Sequence, residues 1–137
     1  MRYKLLDHTA DIMFEVYGKS LNELFKNSAI ATFDVMVKRS SVDSKIKKEI
    51  NLTNKDPEKL LFEFIEELIY LKDADYLVFK DFKIKINGKY ELKAIAQGDK
   101  INPKKHKLLL DVKAITLHKY KLSKTKIGYK AVIILDI

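Results

Sequence analysis

Residues 131–137 read Ala-Val-Ile-Ile-Leu-Asp-Ile, "AVIILDI", and every position from Ala131 to Leu135 is apolar. A strand with one face in water alternates polar and apolar residues, whereas an unbroken apolar run marks a strand covered on both faces and near the centre of its sheet. A charged residue at the end of such a strand has to be paired, hydrogen-bonded or coordinated, because an unpaired buried charge costs several kcal/mol. Asp136 is that residue, and the other reading is a frayed end with its carboxylate in water. The elements that cover this strand are found by working outward from it.

Upstream, "KLLLDVKAITLH" (107–118) reads as another strand, and the lysine-rich "YKLSKTKIG" (120–128) between the two has room for a short one. "YLVFKDFKIKI" (76–86) and "KYELKAIAQ" (89–97) flank Asn87-Gly88, a hairpin signal because both turn positions tolerate positive φ. At the other end, "YKLLD" and "IMFEVYG" are short β-rich runs on either side of "HTAD", which reads as a loop or strand entry. Ser20-Leu21-Asn22-Glu23 matches a capping box, and Leu21, Leu24, Phe25, Ala29, Phe33, Met36 and Val37 follow at helical spacing, predicting a helix over about 20–37. "KIKKEINLT" (45–53) is the weakest strand, its alternation being imperfect. Asp56-Pro57 then opens a second helix whose buried stripe is Leu60, Leu61, Phe64, Ile65, Leu68 and Leu71, with Glu63, Glu66 and Glu67 mostly on the solvated side.

The order of elements is ββαβαββββ. Two helices cannot cover both faces of so many strands, so the expected fold is α+β: a largely antiparallel sheet layer with two helices packed on one side, residues 1–137 forming one domain. The length of 137 residues is enough to bury a core without staples. No internal repeat or linker divides the chain.

Composition excludes several classes. With 47% hydrophobic and 34% charged residues the chain is too apolar to be disordered, yet no stretch approaches the ~18 uninterrupted apolar residues of a membrane span. Asp7 stands where a secretion signal would continue its apolar run. There is no cysteine, which removes disulfides and thiolate zinc and fits a cytoplasmic location. Phosphate-cradling glycine loops, HExxH and GxSxG are also missing. The net charge of +8 belongs to the last 38 residues, which hold ten lysines against Asp111 and Asp136. Such a surface attracts polyanions without choosing a sequence, and it equally fits a lysine-rich composition with no partner.

Four constellations carry chemistry. "DHTAD" places Asp7, His8, Thr9 and Asp11 within one loop, able to turn toward a common point or to serve as turn and strand caps. Asp136-Ile137 ends the central strand, and Lys113, which interrupts the apolar run before it, is a candidate partner for Asp136 and shares a strand face with Asp111. Lys113 with His118 forms a third group, although strand lysines commonly snorkel outward and lone histidines are commonly surface residues. "QGDKINPKKHK" (97–107) is a loop by its Gly, Asn and Pro, with His106 closing a basic run that can approach phosphate or simply be solvated.

Taken together, these stretches resemble the archease family, the small partner proteins of the tRNA-splicing RNA ligase that joins 2′,3′-cyclic or 3′-phosphate ends to 5′-hydroxyl ends. The resemblance runs through "DHTADIMFEVYGKSLNELF" (7–25), "EELIYLKDAD" (66–75), "QGDKINPKKHKLLLDVKAITLHKY" (97–120) and "KAVIILDI" (130–137). Leu117 departs from a common tyrosine and Phe62-Glu63-Phe64 from a more tryptophan-like segment. It implies that Asp11, Asp136 and the main-chain or terminal oxygen of Ile137 bind a divalent cation, calcium in this family, with Mg2+ or Mn2+ as substitutes. It further implies that Asp11, Lys113 and Asp136 are needed to activate the ligase, with His8, Thr9, Asp111 and His118 around them. The implied role is a non-enzymatic cytoplasmic protein cofactor that promotes GTP-dependent guanylylation and multiple turnover, with tRNA as a further contact of the basic last third and neither membrane nor DNA as a partner. Two carboxylates and a carbonyl suit a hard cation. The alternatives are a basic RNA-binding or RNA-chaperone domain acting alone, and a metal-dependent hydrolase built on Asp7, His8, Asp11 and Asp136.

Overall fold

The computed structural model describes residues 2–6 and 11–137. Its elements run β1 (Tyr3–Leu6), β2 (Ile12–Gly18), α1 (Leu21–Met36), a 3-10 turn (Arg39–Ser41), β3 (Ile46–Thr53), α2 (Pro57–Asp75), β4 (Leu77–Ile86), β5 (Glu91–Lys100), β6 (Ala114–Thr125) and β7 (Gly128–Asp136). The order and the α+β class are those read from the sequence. The strands divide into two antiparallel sheets, β1-β2-β7-β6 and β3-β5-β4, in place of one layer.

Helix α1 explains the division. Its buried residues run from Leu24 and Phe25 through Asn27 to Phe33 and Met36, wider than a one-sided stripe, because it packs on β2 and β7 of one sheet and on β4 of the other. The polar side chains caught there are satisfied at close range: Asn27 donates to the Tyr17 carbonyl (2.7 Å), Ser28 to Leu24 (2.8 Å) and Thr32 to Ser28 (2.8 Å). At the N-terminus the Glu23 amide donates to Ser20 Oγ (3.2 Å) as predicted. The Glu23 carboxylate, however, accepts from the amide of Lys19 (3.4 Å), one residue earlier than the capping box requires. Helix α2 starts as read, with Asp56 accepting from the Glu58 amide (2.9 Å) and Pro57 in the first turn.

β7 occupies an interior position between β2 and β6, and Ala131, Ile133, Ile134 and Leu135 are all buried. Three details differ from the sequence reading. Residues 107–113 do not form a regular strand: Leu108 makes an isolated bridge to Val37, and the Leu109 and Leu110 amides donate to the Met36 and Val35 carbonyls (2.8 and 3.1 Å) at the end of α1. β6 therefore begins at Ala114 and absorbs the lysine-rich link, with a register shift between Thr116 and Lys121. "QGDK" belongs to β5 rather than to a loop, and the hairpin after β4 takes its left-handed residue at Tyr90 (φ 56°) instead of at the Asn-Gly pair.

Tyr120 links the sheet carrying the site to α2. Its hydroxyl donates to the Glu58 carbonyl (2.5 Å) and its ring meets Phe62 edge-on at 5.2 Å. Burial, reinforced by the negative charges of Glu58 and Asp56, pushes its phenol well above the ordinary tyrosine value. A raised folded-state value means that its contribution to stability is complete below the unfolded value of about 10 and is lost as pH rises beyond it. Tyr120→Phe is thus expected to be about 1 kcal/mol less stable than the native protein at pH 8, for the lost hydrogen bond. Urea denaturation at pH 8 and pH 11 checks this, with the gap between the two proteins closing at the higher pH.

Candidate metal and partner-binding site

The site is assembled by strand register. In the β2–β7 ladder Ile12 lies opposite Leu135, and the pairing runs without interruption to Gly18 opposite Tyr129. Ile12–Leu135 is the last pair of that ladder, and the residues that follow it on the two chains are Asp11 and Asp136. In the β6–β7 ladder Ala114 lies opposite Asp136, so the next step brings Lys113 alongside Ile137. The Lys113 amide donates to the Asp136 carbonyl at 2.8 Å. Residues distant in sequence, Asp11, Lys113, Asp136 and Ile137, thereby converge at one end of the four-stranded sheet.

Asp136 differs from both sequence alternatives. It is the last residue of a paired strand and hence not frayed, but its side chain is exposed, so little desolvation has to be offset. Its main chain is fixed by the ladder while its carboxylate stays open to solvent. Nor is Lys113 its ion-pair partner: among the described residues the two meet through the main chain only. Like charges facing each other across an antiparallel pair are destabilising, so carboxylates continuing the ladder at Asp11 and Asp136 would repel. Carboxylates offer oxygen alone, and an all-oxygen donor set would suit a hard ion such as calcium better than zinc or copper. Among the described residues no group of three or more His, Asp or Glu side chains gathers anywhere, so the described side chains at this end offer at most the Asp11 and Asp136 carboxylates, beside main-chain oxygen. Calcium takes about six to eight oxygens, which leaves coordination positions for water or a partner.

The other predicted residues fall differently. Asp7, His8 and Thr9 lie outside the described residues. Asp111 is not on a strand face with Lys113; its carboxylate is taken by Lys72 at 2.5 Å. His118 sits in the irregular stretch of β6 beyond the Thr116–Ile134 pair, with its amide donating to Thr116 Oγ1 (3.1 Å) and its side chain exposed. His106 does not reach outward toward phosphate. Its ring is buried, Nδ1 accepts from the Asn102 amide (3.0 Å), and Nε2 lies 3.8 Å from Asp99 Oδ2. Beside Lys113 a groove of about 280 Å³ runs between α2 and the start of β6, with the exposed Tyr70 on its far wall. Sequence reading missed Lys72, a lysine four residues beyond Leu68 on the stripe that α2 buries. That spacing was the available signal.

An α+β domain in which strands from the two chain ends pair in one sheet, with Asp11, Lys113 and Asp136 toward one end of it, defines a narrow class. Over residues 3–137 the chain matches the Archease protein family (MTH1598/TM1083), and it belongs to that family. It is 38% identical to the protein archease of Methanosarcina mazei, across 99% of this chain and 96% of that one. Identity to the protein archease of Pyrococcus abyssi is 44%, across 93% and 92%. The solution structure of Methanobacterium thermoautotrophicum protein 1598 superposes with a TM-score of 0.88 at 33% identity, covering 99% of both chains. A crystal structure from Thermotoga maritima, described as an archease and possible chaperone, superposes at 0.69 with 25% identity, over 98% of this chain and 96% of that one. No helix among the described residues is long and apolar enough to cross a membrane.

Proposed function

We propose that this protein is a non-enzymatic activator of the tRNA-splicing RNA ligase, acting through a divalent cation held by Asp11, Asp136 and the main-chain oxygen of Ile137, with Lys113 beside it. The observation that supports the proposal is the β2–β7 register, whose last pair, Ile12 and Leu135, is followed on the two chains by Asp11 and Asp136. Membership of the archease family supports the RNA-ligase partner. When bound, the cation supplies positive charge that can offset phosphate charge during guanylylation of the ligase from GTP. The chain's own residues do the rest: Asp11 and Asp136 hold acidic oxygens at a protruding strand end, the ladder fixes them, and Lys113 adds a mobile positive donor within reach of the partner's anionic groups.

The test is to mix the purified protein with a cognate ligase, a broken tRNA substrate and GTP, and to follow guanylylation and multiple turnover with and without chelator. Lys113→Ala is expected to lower the stimulation by roughly ten- to a hundredfold, as loss of a charged group at a phosphoryl-transfer site does, with its unfolding temperature unchanged. Full stimulation by that variant removes Lys113 from the proposal.

A second reading has one observation in its favour. Lys119, Lys121, Lys124 and Lys126 are all exposed along β6 and the turn after it, a basic strip that suits an RNA chaperone working alone. It predicts salt-sensitive RNA binding in the absence of ligase, and ligase stimulation that does not depend on a cation.

A further inference from the structure

Lys72 is the one described lysine whose side chain is withdrawn from solvent, at 6% exposure, although it lies in the last turn of an amphipathic helix. Burial of an ammonium is tolerated only where its protons find acceptors. Here all three donors are used: Nζ contacts Asp111 Oδ1 (2.5 Å), the Val112 carbonyl (2.8 Å) and Asp73 Oδ1 (2.7 Å). Two of these three acceptors belong to residues 111 and 112, in the irregular segment that precedes β6.

The segment has few other means of fixing its course. It has no strand ladder of its own from Asp111 to Lys113, and Leu108, Leu109 and Leu110 are each close to half exposed. Val112 alone is fully buried. Lys72 takes the Val112 carbonyl on one side of the 112–113 peptide, and the Asp136 carbonyl takes the Lys113 amide on the other. The main chain at Lys113 is thus held between the end of α2 and the end of β7.

We infer that Lys72 is the positioning residue for Lys113, a buried cation on α2 that sets where the exposed one stands relative to Asp136. The functional consequence rests on the ligase-activation reading; the structural part does not, and the two are tested separately. In Lys72→Met, which keeps the apolar stem and removes the donors, the exchange rate of the Lys113 amide is expected to rise at least tenfold. The amides of Phe14 and Ile133 in the β2–β7 ladder stay as protected as before. Asp111→Asn, which leaves the buried ammonium its carbonyl partner, is expected to give a smaller rise and serves if the methionine variant does not fold. In the ligase assay Lys72→Met is expected to lower stimulation in the native background and to add nothing in a Lys113→Ala background. Lys72→Arg restores part of the loss. Unchanged exchange at Lys113 in both variants overturns the inference, as does an equal loss of stimulation in the two backgrounds, which marks a general stability effect. If exchange rises as expected while Lys113→Ala stimulates normally, the positioning stands and the activation reading fails.

Discussion

Asp136→Asn is expected to reduce ligase stimulation by on the order of a hundredfold while leaving the domain folded, an effect in the range seen when metal-site residues are removed. The fold should be indifferent because Asp136 is anchored by main-chain pairing to Ala114 and by its carbonyl accepting from Lys113, neither of which needs the carboxylate. The sign of the stability change carries further information. With chelator present, the variant is expected to melt at the same temperature as the native protein or slightly higher, since one of the two negative charges at that end of the sheet has gone. With calcium in excess the order reverses, because an ion that binds only the folded state stabilises in proportion to the logarithm of its concentration over Kd, about 2.7 kcal/mol at a hundredfold excess over Kd. Melting curves in the two conditions check both signs. A variant less stable than the native protein in both would make Asp136 a structural residue.

The second large effect concerns stability alone. A Cβ on Gly98 would lie 1.9 Å from the Val78 carbonyl oxygen and 2.7 Å from the Phe79 Cα, both main-chain atoms of β4 beside its irregularity between Phe79 and Asp81. Flexible side chains can move out of the way; a paired strand cannot without losing its ladder. On the other side the Gly98 carbonyl accepts from the Lys45 amide at 2.9 Å at the entry to β3, so the glycine is held from both edges. Gly98→Ala is therefore expected to cost about 3 kcal/mol or more, the upper end of overpacking effects. Gly88, in the β4–β5 turn with nothing within 4 Å of its Cβ position, is the control, and Gly88→Ala should stay within about 0.5 kcal/mol of the native protein. Urea denaturation of both decides it, and a Gly98→Ala protein within 1 kcal/mol of native would show that β4 and β5 adjust freely there.

Much of this architecture is legible in local sequence because the signals are local. Caps at Ser20 and Asp56 mark helix starts through hydrogen bonds spanning only two or three residues. The unbroken apolar run before Asp136 marks an interior strand because burial on both faces suppresses alternation. Other features depend on contacts between distant segments. That α1 is shared by two sheets follows from what packs on its far side, and its buried Asn27, Ser28 and Thr32 read as ordinary polar positions until their acceptors are known. The apolar stretch at Leu108 to Leu110 looks like a strand interior, yet it runs along the end of α1, bonding to Val35 and Met36 in place of a strand partner.

The site divides in the same way. Asp11 and Asp136 are named together by family resemblance alone, and the last pair of the β2–β7 ladder, Ile12 and Leu135, stands one residue short of both. Asp136 needs little offset of desolvation, because its side chain at the last paired position is exposed. The burial of Lys72 is signalled by its place on the α2 stripe, but its role is not, since its partners, Asp111 and Val112, lie about 40 residues away in a segment with no periodicity. Its burial, read beside that of His106, shows that two of the basic residues in a lysine-rich chain serve the interior rather than a partner.

The account stands on one ion being shared by Asp11 and Asp136, and calorimetric titration of the purified protein with calcium, repeated with magnesium, tests it most directly. One equivalent of calcium is expected to bind the native chain, with binding weakened at least tenfold in Asp11→Asn and again in Asp136→Asn, and no additional loss beyond background when both are changed. Binding that persists undiminished in the double variant, or no binding of either ion to the native protein at millimolar concentration, would contradict it.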